Sequence, residues 1–112
     1  MTTQTNLYED IVEQKAGDIV KETITEVVRG TAQDLMPEGM LENSQYPIDP
    51  QSECVEVSVN AHSEYFNIPK DKPLTPRHKL ARFKRTYGKF PEVGLEVSLQ
   101  TDGDGFKHIV LQ

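Results

Sequence analysis

Val55, Val57 and Val59 alternate with Glu56, Ser58 and Asn60. A repeat of two is the period of a strand with one apolar face, so Cys54–Asn60 predicts a strand. "AHSE" follows as a turn, and "YFNIP" (Tyr65–Pro69) as the hairpin partner, with Phe66 and Ile68 inward and Tyr65 and Asn67 outward. A second hairpin closes the chain. Leu95, Val97 and Leu99 share one face, "TDGDG" supplies the turn, and "FKHIVLQ" returns with either Ile109 and Leu111 or Phe106 and Val110 facing the core.

Between the hairpins the period changes. Leu80, Phe83 and Tyr87 recur at i, i+3 and i+7, a narrow helical stripe. Thr75 suits an N-cap, Pro76 the first turn, and Gly88 the residue past the end. These signals predict a helix over 76–87. Residues 18–30 are harder. Seven of the eleven residues from Ile19 to Arg29 are Ile, Val or Thr, and β-branched side chains favour a pleated surface. A strand is favoured there, with a long helix as the alternative. Residues 36–53 carry three prolines and predict a long loop. Leu7–Ala16 predicts a short helix stopped by Gly17, after a polar start at residues 1–6.

Strand, loop, strand, strand, helix, strand, strand is the element order of an OB-fold. That is a mainly β (α+β) five-stranded Greek-key barrel with its helix between strands three and four. The expected organisation is therefore a flexible N-terminal part at 1–17 and a single OB-like domain at 18–112. The run "HKLARFKRTYGKFPEVGLEVSLQTDGDGFKHIVL" also resembles the C-terminal part of small phage and archaeal mobile-element proteins. Those pair a "KL-x-x-F-x-x-x-YG-x-x-P-x-x-G-x-x-V" segment with a closing hairpin. The resemblance implies an OB-like single-strand-binding or replication accessory protein, and it contains no catalytic motif.

Composition adds a charge asymmetry. The net charge of −6 conceals 13 acidic and 3 basic side chains over residues 1–69, and eight cations against Asp71 alone over residues 70–89. Lys and Arg clusters bind phosphate backbones, and tyrosines can stack on bases. The candidate nucleic-acid-binding residues are thus Tyr65, Asn67, Arg77, Lys79, Arg82, Lys84, Arg85 and Lys89. The same cations also fit a solvated helix face, or a counterweight to the acidic N-terminal half. Glu56, Glu64, Asp102 and Asp104 on the expected OB binding face would repel phosphate.

Other chemistry finds no support. Cys54 is the sole cysteine, so no internal disulfide and no zinc-type cysteine pair exists. His62, His78 and His108 fall in different elements without metal-ligand spacing. "TDGDG" lacks the later bidentate Glu of a calcium loop. A Cys54–His62 nucleophile pair has no motif behind it. Length limits the chain to one domain, no apolar run of about 18 residues is present, and the N-terminus lacks signal-peptide features. The expectation is a cytoplasmic, non-enzymatic protein without cofactor or membrane contact, binding single-stranded DNA or RNA for a phage, virus or mobile element. The alternative is a protein-interaction or assembly subunit, self-associating or docking through Leu7, Tyr8, Ile11 and Val12.

Overall fold

The apolar segment at 18–30 is extended, but it does not run as one strand. β1 (Ile19–Thr23) pairs antiparallel with β5 (Glu96–Thr101), and β2 (Glu26–Thr31) pairs antiparallel with β3 (Glu53–Val59). The change of partner falls between two neighbouring residues. Ile24 exchanges backbone hydrogen bonds with Leu95 and Gly94, whereas the Thr25 N–H and hydroxyl both donate to the Ser58 carbonyl. Ile24 is 1% exposed at this crossing. The computed structural model describes residues 17–42 and 48–112; the helix expected at 7–16, with its docking residues, lies outside them.

Six strands result among the described residues, in two three-stranded antiparallel sheets ordered β1-β5-β6 and β2-β3-β4. β4 is His62–Ile68 and β6 is Lys107–Ile109. The expected five-stranded barrel with its helix between the third and fourth strands is therefore corrected, and the physical reasons are local. The first strand breaks at Ile24–Thr25, which adds a strand. No ladder joins β4 to β6 to close a barrel; instead the buried Glu64 side chain accepts from the Ile109 N–H.

Three helices are described: α1 (Ala32–Leu35), α2 (Glu38–Glu42) and α3 (Lys79–Tyr87). α1 starts where Thr31, the last residue of β2, turns its hydroxyl to accept from Asp34 N–H at 3.2 Å. Part of the expected loop at 36–53 is thus helical. α3 begins three residues later than its sequence signals suggest. His78 Nδ1 accepts from the Thr75 N–H at 2.8 Å, and this closed turn uses Thr75 before the helix starts. Gly88 ends α3 at φ 82, donating to the Lys84 carbonyl, in a conformation that glycine adopts without Cβ strain.

One core lies between the sheets and under α3. Val55, Val57, Val59 and Phe66 meet Val97, Leu99 and Ile109, with Leu80 and Phe83 inserted from α3. The Phe83 ring packs edge-on against Phe66 at 5.7 Å and tilted against Tyr87 at 4.7 Å. Each such side chain contributes roughly 1.5–3 kcal/mol by leaving water. Tyr87 adds a polar tie: its hydroxyl donates to the Val110 carbonyl at 2.8 Å and accepts from the Ser98 N–H at 3.2 Å. The far face of β3 is covered as well. Cys54 is sealed with Ala32 and Met36, against Leu35, Leu41, Ile48 and Tyr65. Among the described residues no helix is long and apolar enough to cross a membrane.

Candidate functional site

Because β4 and β6 face one another without pairing, a cleft of about 370 Å³ opens between them. Its walls are His62–Tyr65 of β4, Phe106–His108 at the β5–β6 turn and β6, Met36 and Met40 from the α1–α2 segment, and Lys79 at the start of α3. Phe106 is 67% exposed and Met40 45%, a large apolar surface where the other aromatic rings among the described residues are mostly packed.

Phe106 sits on a fixed mount. The Asp102 carboxylate accepts from the Asp104 and Phe106 N–H groups, both at 2.9 Å, and from His108 Nε2 at 2.8 Å. Asp102 N–H donates to the Phe106 carbonyl at 2.8 Å. The His108 hydrogen bond, then the Phe106 N–H, hold the Asp102 carboxyl below its ordinary 3.8. With the backbone held this way, only the ring's own rotamers remain to be ordered when a flat ligand stacks on it.

The floor is charged and internally paired. Glu64 is 6% exposed. Lys79 Nζ stands 3.1 Å from its Oε1, His62 Nε2 is 3.3 Å from Oε2, and the Ile109 N–H donates to the same Oε2. Lys79 also lies 4.8 Å over the Phe66 ring and donates to the Tyr65 carbonyl at 3.4 Å. That carbonyl marks the free edge of β4, so Lys79 covers an edge that would otherwise invite pairing.

The expected site residues scatter. Lys79 and Tyr65 line the cleft. The Tyr65 hydroxyl donates to Glu56 at 3.4 Å, and burial, then the Glu56 charge, push the phenol pKa up. Asn67 is bonded to Ser52 Oγ at 2.6 Å and the Glu53 carbonyl at 3.2 Å, beside a separate polar groove. Arg82 and Arg85 donate to the Gln112 carbonyl at 3.1 and 2.6 Å, Lys84 covers the Phe90 ring at 4.8 Å, and Lys89 pairs with Glu92 at 2.8 Å. Arg77 alone of the eight has no partner among the described residues. Arg82, Lys84, Arg85 and Lys89 are thus tied up on α3 and its surroundings, away from the cleft.

Sequence inspection missed Phe106, Met36, Met40 and Lys107. Phe106 had a signal: if Ile109 and Leu111 face the core, strand alternation turns residues 106, 108 and 110 away from it. Starting β4 at His62 rather than Tyr65 is what brings His62 and Glu64 in. Cys54 and His62, in contrast, stand at opposite ends of the β3–β4 hairpin. The Cys54 thiol is fully enclosed and its pKa is raised, by burial first and then by Glu56, the reverse of an activated nucleophile. Among the described residues no group of three or more His, Cys, Asp or Glu could hold a metal ion.

No family model, curated protein or solved structure matches this chain. The geometry of the cleft therefore carries the functional argument.

Proposed function

We propose that the cleft between β4 and β6 binds single-stranded nucleic acid, with an unpaired base stacked on Phe106. The observation that carries this is the Phe106 ring, 67% exposed on a loop locked by Asp102. Base–aromatic stacking contributes roughly 1–3 kcal/mol per base and suits any base. Lys107, which has no partner among the described residues, lines the same cleft and offers its ammonium to a phosphate. Lys79 is already neutralised by Glu64, so few phosphates are engaged. A replication-accessory role fits both this ligand and the C-terminal resemblance.

Fluorescence polarisation of labelled dT oligonucleotide at two salt concentrations tests the proposal. One or two phosphate contacts give a shallow slope of log K on log salt, about −0.7 to −1.4. Phe106→Ala weakens binding roughly 5- to 150-fold. Absence of binding at low salt overturns it. One observation favours a protein partner instead: Met36 and Met40 give the cleft an adaptable apolar wall. Light scattering with and without oligonucleotide separates self-association from ligand binding.

A further inference from the structure

His62 and His108 come from different hairpins and meet in this cleft, ring centroids 6.5 Å apart and close to perpendicular. Each imidazole is held by a carboxylate through Nε2, His62 by Glu64 at 3.3 Å and His108 by Asp102 at 2.8 Å. Nδ1 of each ring has no hydrogen-bond partner among the described residues. Glu64 is itself immobilised by Lys79 and the Ile109 N–H, and Asp102 by two loop N–H groups. Both rings are therefore oriented from behind, with one nitrogen left for chemistry. Lys107 supplies positive charge in the same cleft, while the Lys79 ammonium is paired with Glu64.

Two fixed imidazoles beside an unpaired ammonium group are what phosphodiester transesterification needs: a base, an acid, and charge to stabilise the crowded phosphoryl oxygens. We propose that the cleft cleaves single-stranded RNA without a metal ion, which rests on nucleic acid entering it as described above. The ribose 2′-oxygen forms a bond to the adjacent phosphorus while the P–O5′ bond breaks. A neutral imidazole takes the 2′-hydroxyl proton, and the other imidazole, protonated, gives its proton to the departing O5′. The products are a 2′,3′-cyclic phosphate and a 5′-hydroxyl. Proton exchange with water resets both rings, and no oxidant or other reactant is consumed. DNA, lacking the 2′-hydroxyl, is bound and left whole.

The test uses a labelled DNA oligonucleotide containing one ribonucleotide, incubated with the full chain in EDTA, with products identified by mass spectrometry. Cleavage 3′ of the ribonucleotide to a cyclic phosphate is expected. His62→Gln and His108→Gln retain an amide able to bond Glu64 and Asp102 but cannot relay a proton. Each should slow single-turnover cleavage at saturating protein by about 100-fold or more. Both variants cutting at the wild-type rate would mark a contaminating nuclease and overturn the proposal, as would binding of the oligonucleotide without cleavage. Failure of both this oligonucleotide and dT to bind overturns the nucleic-acid proposal itself.

Discussion

Glu64 and Ile109 join the two sheets: a buried carboxylate on β4 accepts from the N–H of a residue on β6. The side chain does there what a strand carbonyl does in a closed ladder, and it also anchors Lys79. Glu64→Ala leaves the Ile109 N–H and the Lys79 ammonium without that partner. Lys79 is partly exposed and can turn to water, so the expected cost is about 2 kcal/mol, below that of a fully buried pair. Glu64→Gln keeps an acceptor for the N–H and should lose less. Urea unfolding of the three proteins checks the order.

Tyr87→Phe tests a second tie. The ring stays in the core, but the Ser98 N–H loses its acceptor and the Val110 carbonyl its donor. A part-buried donor left without a partner costs about 1 kcal/mol, the low end of the range for a buried one. Calorimetry should show a lowered Tm, by roughly 4–8 °C per kcal/mol for a domain of this size.

Asp102 gives the Phe106 loop a pH dependence of defined sign. Its folded-state carboxyl titrates below the ordinary 3.8, so its contribution is fully present above that value and lost as pH falls through the lower, folded one. Hydrogen exchange at the Phe106 N–H should lose protection in that acidic window. Asp102→Ala should show the loss already at neutral pH.

The triple variant Arg82→Ala, Lys84→Ala, Arg85→Ala should leave dT affinity within about twofold. These side chains contact Gln112 and Phe90 rather than the cleft, and exposed contacts of this kind contribute about 0–1 kcal/mol. Lys107→Ala should weaken binding and flatten the salt slope by about 0.7. Fluorescence polarisation reads both.

Much of the scaffold could be read directly from residue patterns. Val55, Val57 and Val59 are 0–2% exposed on one face of β3, and Leu80 and Phe83 bury the stripe that their spacing defines. Gly88 ends α3 as its backbone freedom suggests. Long-range events were less visible. Nothing in "VKETITEVV" marks Ile24–Thr25 as a crossing, because the crossing is set by Leu95 and Ser58, far away in sequence. Two histidines 46 positions apart in numbering gave no local pattern, and only the facing of β4 and β6 brings them together. The charge run has a related limit: charge counts show where cations are, not which carbonyls and rings already hold them.

The crossing at Ile24–Thr25 also shapes how the chain folds. A single peptide step carries the backbone from one sheet into the other, and β1 finds its partner by pairing residue 19 with residue 100. β1 cannot join the local β5–β6 hairpin until nearly the whole described chain has closed on itself, an expensive loop to close early. The β3–β4 hairpin, by contrast, pairs residues close in sequence. Synthesis from the N-terminus would therefore leave β1 without a partner until β5 emerges, its Ile19 and Val20 unprotected by any ladder. Cutting the chain anywhere before residue 96 removes two strands of that sheet and strands the third.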